Sequence, residues 1–391
     1  MTSWRTCATG ACSSLKSGRR WGRTSEYSAF TYREGTHRTC LISRDTWGSN
    51  LTLHKILRLT AVALTLSALT LSALALSAQE RWWNVYFTAP EGAPFTENPE
   101  SALVARIDAA RRSFHGAFYS ITSNRIIQTL LAAKARGVDV RIVTETDTVA
   151  SGVRTLVNAG IPVAVDDRRG LMHDKFAIID GEQLWTGSYN LTDNGAFKDD
   201  NNAIVIRSAE LASIFQAEFD EMHAGGVFGN RKEPGLFGSL TKKYFVKIAD
   251  TNINAYFSPE DNIERIILER LKKARRSVHF LAFSFTSDPL GEELIRLHKK
   301  GIAVKGVIER EGSDTENSEY NKLRVEGIAV KIDRNPGLMH HKVIIIDEAL
   351  LITGSFNFSK GANVKNDENV IILDNAEITG EYMKEFARVY N

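Results

Sequence analysis

The sequence predicts an α/β protein of two similar modules, each a mostly parallel mixed sheet flanked by helices, packed about a pseudo-twofold axis. Three observations predict it. The first is an internal repeat: Ala110-Arg-Arg-Ser-Phe-His-Gly-Ala-Phe-Tyr-Ser-Ile-Thr-Ser123 matches Ala274-Arg-Arg-Ser-Val-His-Phe-Leu-Ala-Phe-Ser-Phe-Thr-Ser287, and Leu171-Met-His-Asp-Lys175 matches Leu338-Met-His-His-Lys342. The second is alternation of apolar runs with helically spaced segments, the signature of strands and helices in turn. The third is size: 391 residues, 43% hydrophobic and 25% charged, suffice for two packed domains and exclude a disordered or fibrous chain.

The repeat sets the boundaries. Tyr86-Phe87 answers Tyr256-Phe257, so the modules run over 82–224 and 246–391. Residues 225–245 between them hold Gly225, Gly226, Gly229, Pro234, Gly235 and Gly238 and read as a turn-rich linker. Within the modules, Val278 to Phe285 reads as a buried strand. Ile126 to Arg136 and Glu292 to Lys300 carry helical spacing and stop at Gly137 and Gly301. Strand patterns resume at Val140 to Val143 and Val304 to Ile308.

Ahead of the modules, Leu59 to Ala78 is uncharged and rich in Leu, Ala, Thr and Ser, is preceded by His54, Lys55 and Arg58, and ends in small residues. This is the layout of a signal peptide over 55–78, and its length also suits a signal anchor. Either places the modules outside the cytoplasm, in the periplasm or secreted. Residues 1–54, rich in Arg, Ser, Thr, Gly and Trp without periodicity, read as a leader from an over-extended translation start.

Charge and cysteine are uneven. Residues 1–78 hold 10 Lys/Arg and 3 Asp/Glu, so of the chain's net +2 the remainder carries −5. The summed charge of the modules therefore does not draw in polyanions. Cys7, Cys12 and Cys40 all precede the modules, which excludes a disulfide framework, a thiolate nucleophile or a cysteine metal site there.

The chemistry lies in a duplicated motif. The first copy is His173-Asp-Lys175-Phe-Ala-Ile-Ile-Asp180, then Gly187-Ser188-Tyr-Asn190; the second is His340-His-Lys342-Val-Ile-Ile-Ile-Asp347, then Gly354-Ser355-Phe-Asn357. Residues two apart on a strand share a face, so each copy presents an imidazole beside an ammonium. A hydroxyl and an amide on the returning strand would join them. One such copy is weak grounds for a site; two in register are strong.

His-x-Lys-x4-Asp followed by Gly-Ser-x-Asn, twice, resembles the signature of the phospholipase D superfamily. The resemblance covers nearly all of 82–391, and the second half is similar to the small bacterial endonuclease branch, whose members dimerise to bring two motifs together. It implies the phospholipase D fold, a fused tandem acting as an intramolecular pseudo-dimer, and one active site where the modules meet. It also implies phosphodiester hydrolysis without a metal or other cofactor. Lys175, Lys342, Asn190, Asn357 and the Ser188 and Ser355 hydroxyls would hold the phosphate oxygens. One histidine would attack phosphorus while the other protonates the leaving alcohol and then activates water. By the family's usual order His173 is the nucleophile and His340 the acid and base. The family steadies each catalytic imidazole with a carboxylate further along its module; Glu368 would serve His340, while Asn201, with Asp200 before it, stands at the matching place for His173. An amide stabilises an imidazolium less well than a carboxylate, which leaves the reverse assignment open.

Other residues read as structural. Asp180 and Asp347 are expected to close strand ends by bonding backbone, His341 to be an exposed bystander, and His115 and His279 to be hydrogen-bonded scaffold. The substrate is left between classes: a phospholipid or membrane surface, favoured by the acidic body; a nucleic acid, which enzymes normally meet with a basic footprint; or a phosphate- or lipid-binding scaffold without turnover. No obligatory protein partner is implied, and the chain is expected to be a monomer.

Overall fold

The computed structural model describes residues 81–88, 98–167, 170–232 and 244–391, together with the backbone of three short strands ahead of them: Ser13–Ser14, Glu26–Thr31 and Cys40–Arg44. Those three pair antiparallel in a sheet of their own within the unit 1–80. The rest of the leader and residues 55–78, expected to be a signal peptide or anchor, lie outside the described residues. Among the described residues no helix is long and apolar enough to cross a membrane.

Residues 81–391 form one unit built on two mixed sheets. The first comprises β1 (Trp83–Phe87), β2 (Ser113–Phe118), β3 (Asp139–Thr144), β4 (Val163–Val165), β5 (Lys175–Ile179), β6 (Gln183–Gly187) and β7 (Asn202–Arg207), in the order β1-β7-β6-β5-β2-β3-β4. The second comprises β8 (Phe245–Ile248), β9 (Thr251–Ser258), β10 (Ser277–Ala282), β11 (Ala303–Ile308), β12 (Ala329–Ile332), β13 (Lys342–Ile346), β14 (Leu350–Gly354) and β15 (Glu368–Leu373). Their order is β8-β9-β15-β14-β13-β10-β11-β12. From β1 and β9 onward the two orders are the same, so the duplication in sequence is a duplication in topology.

The helices are α1 (Pro99–Ala109), α2 (Asn124–Ala135), α3 (Ser151–Asn158), α4 (Asp193–Phe197) and α5 (Ala209–His223) in the first module. In the second they are α6 (Ile263–Leu271), α7 (Asp288–Lys299), α8 (Glu319–Val325), α9 (Lys360–Val364) and α10 (Ala376–Tyr390). Sequence-based reading expected mostly parallel sheets, and here the structure differs. Parallel pairing is confined to β2-β3-β4 and β10-β11-β12, and every other neighbour is antiparallel. The reason is connection length. β2, β3 and β4 follow one another through α2 and α3, and β10, β11 and β12 through α7 and α8, and these return parallel. By contrast, β5 and β6 are separated only by Asp180, Gly181 and Glu182, which forces a hairpin, and β6 and β7 pair antiparallel across the single-turn α4.

The strands that carry the motif are buried on both faces, as their unbroken apolar runs require. Phe176 and Ile178 of β5 face a core shared by the modules, with Phe215 and Phe219 of α5, Val343 and Ile345 of β13, and Tyr382 and Phe386 of α10. Ala177 and Ile179 face the first module's own helices. Burying each large apolar side chain contributes about 1.5–3 kcal/mol, so the shared core holds the modules in a fixed relation.

Candidate active site

His173 and His340 each end a loop two residues before the start of β5 and β13, and each loop is pinned against the opposite module. Met172 forms a parallel bridge with Asp367 and Met339 one with Asp200. His173 N–H donates to the Asp367 carbonyl (3.0 Å), and His340 N–H to that of Asp200 (2.9 Å). The approach is close enough to demand glycine. A Cβ on Gly170 would lie 1.9 Å from the Lys365 carbonyl oxygen, and one on Gly337 2.0 Å from that of Lys198. Glutamates that follow β3 and β11 complete the loops: Met172 N–H donates to Glu145 (2.7 Å) and Met339 N–H to Glu309 (2.6 Å).

The imidazoles are paired across the pseudo-twofold. His173 Nδ1 lies 2.8 Å from Glu368 Oε2, and His340 Nδ1 lies 2.9 Å from Asn201 Oδ1 and 3.0 Å from the Ser188 carbonyl. This corrects the expectation that Glu368 serves His340 of its own module. Each partner residue ends the strand-return segment that crosses the interface, so it meets the other module's histidine. The carbonyl of Ser188 only accepts, so His340 carries its proton on Nδ1. Glu368 accepts from Ser355 Oγ (2.7 Å) and Asn366 Nδ2 (3.3 Å), which favours the carboxylate and places a proton on His173 Nδ1. In both neutral rings Nε2 is then the basic nitrogen.

The hydroxyls of Ser188 and Ser355, expected to hold phosphate oxygens, bond in this structure to the partners of the histidines. Both are fully buried; each donates its proton to the histidine's partner, Asn201 Oδ1 (2.9 Å) and Glu368 Oε2 (2.7 Å), and accepts from the backbone N–H of Asn202 and Asn369 (both 3.0 Å). The preceding glycines serve the same contact. Gly187 and Gly354 have φ of 153° and 156°, and a Cβ there would press on the Asn202 or Asn369 carbonyl.

Lys175 and Lys342 are buried, and their ammonium groups donate to the carbonyls of His173 (2.6 Å) and His340 (2.7 Å). One such bond leaves two N–H donors on each. Burial draws the Lys175 ammonium down to about 8, and burial with the nearby Lys175 charge lowers Lys342 well below its ordinary value. Burial, then the two ammonium groups, keep His173 and His340 well below 6.5. Burial pushes the Glu368 carboxyl up, while the Lys175 ammonium and the Ser355 and Asn366 donors pull it back toward the charged form that accepts from His173 Nδ1. An arriving anion would offset the two lysine charges and let a ring take up a proton. The amide oxygens of Asn190 and Asn357 are buried and without a partner among the described residues.

Other expected residues take supporting places. Asp180 and Asp347, both at φ 55°, accept the backbone N–H groups of Arg111 to Ser113 and Arg275 to Ser277. Burial opposes their charge, but these three donors hold both carboxyls below the usual range. The Asp200 carboxylate meets Asn335 Nδ2 (3.0 Å) and Arg388 and contacts His340 only through its backbone. His341 is no exposed bystander. It is fully buried, bonded to Asn202 Nδ2 and Glu385 Oε1 (both 2.9 Å).

Sequence reading missed this second layer: Asn202 with Thr353 and His341, Asn369 with Thr186 and Asp174, and the loop-holding Glu145 and Glu309. A signal existed, since Glu145 and Glu309, like Asn202 and Asn369, are identical residues at equivalent places in the repeat.

Two half-sites of one histidine and one lysine each, exchanged across fused α/β modules, define a two-motif phosphodiesterase-type architecture. The family model described as "Cardiolipin synthase, PLD-like domain" matches residues 103–223 and 267–390, and the chain belongs to this phospholipase D-like family. A phospholipase D of Rickettsia typhi is 31% identical over 156 residues, 40% of this chain and 76% of that protein. The human mitochondrial cardiolipin hydrolase is 37% identical over 124 residues, 32% of this chain and 49% of its own length. These stretches are about one module long. The phosphatidylserine synthase of Haemophilus influenzae shares the fold over 78% of this chain and 86% of its own, with a TM-score of 0.61 at 13% identity.

Proposed function

We propose that this chain is an exported, metal-independent phosphodiesterase that hydrolyses phospholipid headgroups, leaving phosphatidic acid, with His173 as nucleophile and His340 as acid and base. The observation that carries the assignment is the crossed and unequal pairing of the rings. His173 Nε2 attacks phosphorus, forming a P–N bond, while the P–O bond to the headgroup breaks and that oxygen takes the Nε2 proton of His340. The phosphohistidine bears its positive charge beside Glu368, where a carboxylate stabilises it best. His340, steadied by the neutral Asn201, is the more acidic imidazolium and the readier donor. It then takes a proton from water, whose oxygen displaces His173. Lys175 and Lys342 neutralise the phosphoryl oxygens, and the Nδ2 groups of Asn190 and Asn357 donate hydrogen bonds to them.

The lipid substrate is favoured by the names of the relatives, phospholipase D and cardiolipin hydrolase, and by the net −5 of residues 79–391. The test is incubation of the full chain, in chelator, with cardiolipin or phosphatidylglycerol vesicles and separately with plasmid and single-stranded DNA. Headgroup release, lost in His173→Ala and His340→Ala, is the expected result. Strand scission alone would replace the lipid reading with a nuclease, silence on both would leave a binding scaffold, and loss of turnover to chelator would overturn the metal-free chemistry.

A further inference from the structure

The segment between the modules does more than connect them. Gly229 N–H donates to Asp367 Oδ1 (2.9 Å), Arg231 Nε meets Asp167 Oδ2 (2.9 Å), and Lys232, 2% exposed, inserts its ammonium between Asp367 Oδ1 (2.8 Å) and Glu218. Asp367 is the residue whose backbone carbonyl receives His173 N–H, and it immediately precedes Glu368. The cation thus stands behind the strand end that delivers the carboxylate to the nucleophile.

The opposite half-site has the same need and meets it differently. There Asp200, which precedes Asn201, is held by Arg388 of α10, and Arg388 also pairs with Glu385. By the repeat, Glu218 matches Glu385, Asp367 matches Asp200, and Arg388 is matched by Glu221. The first module therefore has an acid where the second has its cation. Glu221 indeed points to the same place, since carboxylate oxygens of Glu218, Glu221 and Glu260 lie within 4.8 Å of one another. Among the described residues Lys232 is the cation that contacts both Asp367 and Glu218 in this interior. Asp367, Glu218, Glu260 and Asp174 all act on the Lys232 charge.

We infer that Lys232 is a positioning residue: the connector supplies, from outside either repeat, the cation that fixes Asp367 and through it the contact of Glu368 with His173. This deepens the proposed function and rests on it for the catalytic consequence, whereas the geometric consequence can be read without turnover. The fusion of two modules then has a chemical role, because one half-site is completed by the linker itself.

The experiment compares full-length Lys232→Met, Lys232→Arg and Lys232→Met/Glu221→Arg with the wild type, by crystal structure and by hydrolysis of cardiolipin vesicles, with thermal unfolding as the check of folding. In Lys232→Met the His173 Nδ1 to Glu368 Oε2 separation is expected to open beyond 3.5 Å, and kcat to fall at least tenfold with KM within twofold. Lys232→Arg should restore both. Glu221→Arg, which places a guanidinium where Arg388 stands in the other half, should restore them in part even if Lys232→Met alone folds poorly. A Lys232→Met enzyme that keeps the 2.8 Å contact and its kcat, or a loss that Lys232→Arg and Glu221→Arg both fail to reverse, overturns the inference. If the wild type hydrolyses no phosphodiester, the proposed function fails, and the crystallographic separation alone decides the role of Lys232.

Discussion

The two half-sites share their frame and differ in what fills it. Histidine, lysine, the glycine-serine turn, the interface asparagines and the loop-holding glutamates recur in both copies. The differences lie one step out: Glu368 faces His173 where Asn201 faces His340, Asp174 stands where His341 does, and Tyr119 packs on His173 (5.1 Å) where Phe283 packs on His340 (4.6 Å). Symmetry gives each module the same imidazole, and on the proposed mechanism the asymmetry gives the two rings different work. A ring that will carry a covalent phosphoryl group gains from a fixed negative partner. A ring that must release a proton gains from a neutral one.

The largest test of that contrast is removal of the partners. Glu368→Gln should lower kcat about 10²–10³-fold, the scale of losing one preorganised electrostatic partner, whereas Asn201→Ala should cost less than about tenfold. Steady-state rates on one lipid substrate measure both, and equal losses would dissolve the distinction between the halves.

A smaller effect follows from the lysines. Lys175 is needed charged, and burial draws it to about 8, so its ammonium is present below that pH and lost as pH rises through it. The profile of kcat/KM should therefore fall on the alkaline side near pH 8. Lys175→Arg, which stays protonated, should flatten that limb whatever it does to the maximum. An unchanged limb would assign the titration elsewhere.

The smallest differences should come where the copies are most alike. Asp180→Ala and Asp347→Ala each remove an acceptor of three backbone N–H groups and put alanine at positive φ, at a cost on the order of 1–2 kcal/mol. These carboxyls titrate below their ordinary 3.8 in the folded chain, so their contribution is present at neutral pH and lost as pH falls through the folded value. Denaturant unfolding at pH 7 and pH 3 would measure it. Unequal losses in the two variants would mean that the frame itself is not symmetric.

Much of this was legible in the sequence because the duplication gives every candidate a control. His173, Lys175, His340 and Lys342 stand out by recurring in register, and the common strand order follows from the same repeat. What the sequence hid was exchange between the copies. Sequence distance joins Glu368 to His340, yet the strand return carries it across the interface to His173, and nothing in spacing distinguishes the two routes. The bonds of the serine hydroxyls were hidden for a related reason: a proton can be assigned only once its acceptor is known. Lys232 lay in a stretch whose glycines and proline read as spacing alone, and its burial depends on carboxyls from both modules. The parallel share of the sheets was overstated because helix-linked strands are conspicuous in a sequence and hairpins with three-residue turns are not.

The central claim is tested most directly by trapping the covalent intermediate. The full chain, mixed with cardiolipin vesicles, quenched within the first turnovers and mapped by tandem mass spectrometry, should carry a phosphatidyl group on Nε2 of His173 and none on His340, with the adduct accumulating when His340→Ala slows its hydrolysis. An adduct on His340, or turnover without any phosphohistidine, would contradict the account.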